Sequence, residues 1–128
     1  MYVRFVVDEI DEDSGVEQGI FQAMYRLSRA GKLNAAEEVW WADVRTWFNL
    51  ELEKPGRLAR SRRTGANPVA ISWFKESAAE HIRRAREVAA ILAEHHIQSR
   101  MLRSERPGYV VYEDEFQVTA EPFRPEHH

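Results

Sequence analysis

Five basic side chains crowded into ten residues are the strongest chemical signal in this sequence. Lys54, Arg57, Arg60, Arg62 and Arg63 stand together, with Ser61 and Thr64 among them, and no acid interrupts the run. Arginine presents a planar fork of N–H donors that matches phosphate or carboxylate oxygens. The segment runs into Asn67-Pro68, which reads as a helix start, where free N–H groups and the helix dipole favour an anion. Lys54, Arg57, Arg60, Arg62, Arg63 and Thr64 are therefore the expected anion-binding residues. The spacing lacks the GxxxxGK[ST] pattern, so this is no P-loop. The competing reading leaves the arginines solvated, or pairs them with the acidic runs at residues 8–13 and 113–115.

Other candidate chemistry is thinner. There is no cysteine, which removes thiolate catalysis and cysteine-ligated metal sites. His81 and His95 fall about 21 Å apart along a helix, too far to share a metal. Asp11 and Asp13 have the spacing that opens a calcium-binding loop, but Gly15 falls one position early and Gln22 stands where a bidentate Glu is required. GxSxG, HExxH and glycine-rich dinucleotide patterns are absent. No metal and no cofactor is expected, and no catalytic residue is assigned. Were the chain an enzyme for a phosphate-bearing substrate, Arg62 and Arg63 would clamp charge, and His81 or Glu113 would move the proton.

These side chains need elements to hold them. Ile71, Phe74, Ala78, Ile82, Ala85, Ala89 and Leu92 recur at three- and four-residue steps and predict one long helix over residues 67–96. Glu80 before Arg84 and Arg83 before Glu87 mark its solvated face. Ser14 and Glu17 form a capping-box pattern for a first helix, with Gly31 to end it. Asn34 and Glu37 repeat the pattern for a second helix reaching about residue 52. That helix carries Trp40, Trp41, Val44, Trp47 and Phe48, a wider aromatic arc than one core face needs. Either the helix is packed on both sides, or Trp40, Trp41 and Trp47 meet a protein partner.

Alternating Val3, Phe5 and Val7 predict a strand over residues 2–8. Strands are also expected at residues 97–103, 109–113 and 116–121, the last two as a hairpin across Asp114, with a Pro107-Gly108 turn before them. The expected fold is α+β, a small antiparallel sheet on three helices in the order β-α-α-α-β-β-β. Residues 1–122 are read as one domain and 123–128 as a flexible tail, whose closing His127-His128 are either natural or a tag remnant.

Composition agrees. The 128 residues are 44% hydrophobic with four tryptophans, enough for a core without staples. A net charge of −3 provides no global basic field for nucleic acid. No run approaches the ~20 apolar residues of a membrane span, and MYVRFVVDE lacks a signal peptide's pattern, so a cytoplasmic protein without membrane association is expected.

The segments MYVRFVVDEIDEDSG, LEKPGR, SRR, ISWFK and ERPGYVVYEDEFQVTAEPF, together spanning nearly the whole chain, make it similar to a family of short bacterial proteins without an assigned activity. The resemblance implies a single cytoplasmic domain of bacterial origin and brings no site residues with it. The residues themselves point to a non-enzymatic binding or regulatory protein whose basic loop takes a phosphate-bearing or acidic ligand, or nucleic acid. The alternatives are the small enzyme above, or an interaction module that docks a partner or a second copy through the aromatic arc.

Overall fold

The structure, a computed structural model, describes residues 1–10, 16–54 and 70–123. The fold is α+β: three helices and a six-stranded antiparallel sheet. In chain order the elements are β1 (Tyr2–Ile10), β2 (Glu17–Gly19), α1 (Ile20–Arg29), α2 (Ala35–Glu51), β3 (Ile71–Lys75), α3 (Ala79–Glu94), β4 (Ser99–Ser104), β5 (Tyr109–Glu113) and β6 (Gln117–Glu121). The expected order β-α-α-α-β-β-β holds for the elements it named, and the short strands β2 and β3 are added to it.

β1 organises the sheet. One of its edges pairs with β4 along its length, from Tyr2 opposite Ser104 to Val7 opposite Ser99. The other edge is shared, by β3 at Tyr2 and Val3 and by β2 from Val6 to Ile10. β6 continues the sheet beyond β3, and β5 closes that side. Strand side chains alternate between faces, so Val3, Phe5 and Val7 join Phe74 in the core beneath the helices. Val6, Ile71, Val118 and Ala120 are buried outside that cluster, which makes the sheet apolar on its second face as well.

Two helical expectations are corrected at their N-terminal ends. Residues 71–75 form a strand, not the opening of the long helix, which begins only at Ala79. Ile71 and Phe74 are both buried, but only Phe74 belongs to the helix-side cluster, as strand geometry requires. β-branched and aromatic residues with β1 and β6 beside them favour the ladder over the helix. Likewise Glu17, Gln18 and Gly19 pair with β1, so α1 starts at Ile20, with Gly19 as an N-cap that makes no side-chain bond. The Ser14 cap and the Asn67-Pro68 helix start lie outside the described residues.

The α2 N-terminus is as expected. Asn34 Oδ1 accepts the Glu37 N–H at 2.8 Å, and the Glu37 carboxylate accepts the Asn34 N–H at 2.9 Å. α1 and α3 end in the same motif. After α1, the N–H of Gly31 reaches Ser28 O and that of Lys32 reaches Leu27 O. After α3, His96 reaches Ala93 O and Ile97 reaches Leu92 O. Gly31 takes φ 71° for this purpose, and His96 is forced to φ 65°. A side chain in that region costs about 1 kcal/mol. His96→Gly is therefore expected to raise stability by about 0.5–1 kcal/mol, offset in part by the freer unfolded chain, and urea unfolding measures it.

Candidate functional site

The cavity follows from how β1 is shared. β1 meets β3 at Tyr2 opposite Lys75 and Val3 opposite Phe74. β3 then follows β6 back to Ile71, while β1 picks up β2 at Val6. Between Val3 and Val6 the strands fork, and the fork opens a cavity of about 310 Å³. Phe5, Phe74, Phe21 and Ile20 supply much of its apolar wall, and Phe21 packs edge-on to Phe48 at 4.7 Å. Trp73, Ser72 and Gln22 also reach it. This is the size and character of a small-molecule site, mostly apolar with a few polar groups.

The charge in that lining has one sign. Arg4 is the single ionisable residue among the described residues of the wall. Its guanidinium donates to Glu17 O at 3.0 Å, which lays it along β2. The first turn of α1, residues 20–22, faces the same space; it has no side-chain cap and no acid. Such a turn presents backbone N–H donors and the positive end of the helix dipole. Among the described residues, the cavity wall thus offers a cation and donors, and no carboxylate, imidazole or amine.

The basic segment lies, in sequence, between two residues of this wall. Leu52 and Ala70, which flank it, both line the wall. Lys54 is exposed at its start, while Arg57, Arg60, Arg62, Arg63 and Thr64 lie outside the described residues. Two buried polar side chains pin the segment's root. His81, 3% exposed, contacts Glu51 O through Nε2 at 2.7 Å. A carbonyl only accepts, so Nε2 carries the proton. Gln117, 1% exposed, donates through Nε2 to Glu53 O at 2.6 Å. The His81 ring is packed by Trp47, Phe48, Phe74 and Phe116, the last at 4.4 Å. His81 is a structural fastener between α3 and the end of α2. At the opposite end of this antiparallel helix pair, His95 meets Glu37 at 3.0 Å.

The aromatic arc is mostly interior. Trp41 is 2% exposed and belongs to the core, so it is no part of a docking surface. Trp40 is half-buried against that core. Trp47 is half-buried between His81 and the Arg84 guanidinium, which lies 4.3 Å from its ring centre. Trp41 and Val44 are buried at the centre of the packed face of α2, Trp40, Trp47 and Phe48 are half-buried beside them, and Val39 and Leu50 are exposed.

Acids in the segments thought to compete for the loop arginines have other partners. Asp8 pairs with Arg100 at 3.4 Å, Glu9 with Arg26, and Glu113 with Lys75 at 2.7 Å. Asp114 shapes the β5–β6 turn, accepting the Phe116 and Gln117 N–H groups and the Tyr112 hydroxyl. The Tyr112 phenol is pushed up to about 12, first by that bond to the Asp114 carboxylate.

Several carboxyls are held below their ordinary range, and this fixes the pH dependence of stability. The Arg83 guanidinium, with Arg84 adding to it, pulls Glu80 to about 2 from 4.5. Glu37 is lowered first by the Asn34 N–H and then by His95, and Glu17 first by its own backbone N–H and then by Arg100. Burial raises Asp114, but the bonds from Phe116, Gln117 and Tyr112 outweigh it and lower the carboxyl. Lowered folded values stabilise the protein above the unfolded values and lose that contribution as pH falls through the folded ones. The thermal midpoint should hold steady from neutrality to about pH 5 and fall progressively below pH 4.5 toward 2. Glu80→Gln should flatten the lowest part of that fall in a series of calorimetric melts.

Among the described residues no group of three or more His, Asp or Glu side chains could hold a metal ion. Among them too, no helix is long and apolar enough to cross a membrane. No family model, no curated protein and no solved structure matches the chain.

Proposed function

We propose that the protein is a non-enzymatic binding protein for an anionic ligand, phosphate-bearing or acidic, with an apolar body. The body enters the fork between β1 and β3. The charge is met by Arg4, the first turn of α1 and the basic residues Lys54, Arg57, Arg60, Arg62, Arg63 and Thr64. The observation that carries this reading is the cavity itself: mostly apolar, with the Arg4 cation as the one charged residue among the described residues of its wall, and lined by Leu52 and Ala70, between which the basic segment lies in sequence. At about 30 Å³ per water-sized group, the space suits a body of on the order of ten non-hydrogen atoms.

Trp73 on the wall provides the readout. Titration with octanoate and with phenyl phosphate should shift tryptophan emission, whereas octanol and phenol, of similar shape without the charge, should bind at least tenfold more weakly. Arg4→Ala removes a charged hydrogen-bond donor worth about 1.5–3 kcal/mol and should weaken the anions about tenfold or more. Arg60→Ala/Arg62→Ala/Arg63→Ala should reduce both affinity and its salt dependence. Equal binding of the neutral analogues would overturn the anionic reading. Steeply salt-dependent binding of short RNA or DNA, with no response to the small anions, would move the function to nucleic acid.

A further inference from the structure

Two edge strands of the sheet, β4 and β5, are built differently. β4 carries Arg100 and Arg103 on its short run, held by Asp8, Glu17 and Glu76. Charges along an edge strand discourage pairing with another chain. β5 reads Tyr-Val-Val-Tyr-Glu and pairs, among the described residues, with β6 alone. Beside it lies exposed apolar surface: Val110 at 51%, with Tyr109 and Phe123 each at 40% and packed edge-on at 4.7 Å. Phe123, read from the sequence as the first residue of the tail, is thus part of this patch; residues 124–128 lie outside the described residues.

The charges around β5 are polarised. Arg106 precedes the strand and lies over the Phe123 ring, 5.4 Å from its centre. Glu113, paired with Lys75, ends it, and Asp114 and Glu115 follow. Antiparallel pairing of two such strands about Val111 lays Tyr109 opposite the second copy's Glu113. It also brings Arg106 toward the second copy's Glu115, and it does so twice by symmetry. Parallel pairing would instead set acid against acid. Val111 has no register partner on β6, where the ladder shifts between Val110 and Tyr112, and it falls at the centre of the symmetric pair.

We propose that the outer edge of β5 is a self-association surface, where a second copy of the chain adds its own β5 antiparallel and joins the two sheets. Main-chain hydrogen bonds supply the attraction, and the Arg106 and Glu115 ends fix direction and register. The contact is small, so the dimer exchanges with monomer. This rests on the sheet edge and its charges, independently of the cavity.

Sedimentation velocity over a concentration series up to about 100 µM tests it. The wild type should shift from monomer to dimer within the series. Val110→Lys, an exposed substitution that leaves the core intact, should remove the shift. Arg106→Glu and Glu115→Arg should each weaken association about tenfold, and the double variant, which restores opposite charges across the pair, should recover it. A wild type that stays monomeric throughout, or a dimer that survives Val110→Lys unchanged, overturns the proposal. So does a double variant as weak as either single one.

Discussion

Replacing His81 by alanine is expected to lower stability by about 3 kcal/mol or more. The substitution removes a ring enclosed by Trp47, Phe48, Phe74 and Phe116, and a hole of that kind in a well-packed core costs about 2–5 kcal/mol. It also strips the donor from Glu51 O at the end of α2. His81→Phe separates the two effects. It refills most of the volume and leaves the carbonyl without its N–H, so about 1–2 kcal/mol should remain lost. Urea unfolding of both variants at neutral pH measures the pair. If His81→Phe were as damaging as His81→Ala, packing would not be the larger part, and the enclosure by four rings would have been misread. Because Glu51 O sits at the root of the basic segment, both variants should also weaken binding of the anionic probes, with alanine the worse.

Gly108→Ala should be of similar size for a different reason. A Cβ there would stand 2.0 Å from Glu121 O, 2.7 Å from its carbonyl carbon and 3.2 Å from Pro122 Cα. All three are backbone atoms, so no side chain can rotate away. The connection into β5 and the end of β6 must move apart, and overpacking of this kind costs about 3 kcal/mol. For a chain of this size that is about 10 °C in Tm, readable by circular dichroism. Gly31 offers the contrast: nothing lies within 4 Å of its missing Cβ, and only its φ of 71° resists a side chain. Gly31→Ala should cost about 1 kcal/mol. A Gly108→Ala no worse than Gly31→Ala would show that the close approach to Glu121 relaxes cheaply.

The elements that could be read from the sequence are those with local punctuation. Asn34 and Glu37 cap α2 as their spacing requires, and Gly31 ends α1 at the positive φ that makes it useful. β5 and β6 were bounded by Pro107-Gly108 and Asp114, whose turn chemistry is local too. Misreading came where a short segment fits two periods. Ile71, Phe74 and Ala78 are spaced for a helix, yet Ile71-Ser-Trp-Phe-Lys75 is equally a strand once β1 and β6 stand on either side. Glu17, Gln18 and Gly19 were hidden by the capping-box pattern of Ser14 and Glu17, which placed the helix start ahead of them. The cavity lies at the fork that these two short strands create along β1, so no reading that made both of them helical could find it. The basic segment was legible by composition alone; that Leu52 and Ala70, on either side of it, share a cavity wall was not, because they are far apart in sequence.

The most direct test of the central claim is a two-dimensional amide spectrum of the labelled protein titrated with phenyl phosphate and octanoate. Binding in the fork predicts saturable shifts at Arg4, Phe5, residues 19–22 and residues 70–74, with the Trp73 indole among the largest, and in Arg4→Ala these should need about tenfold more probe or above. Saturable shifts confined to other surfaces, or none at millimolar probe, would contradict the assignment of the β1–β3 fork as the binding site.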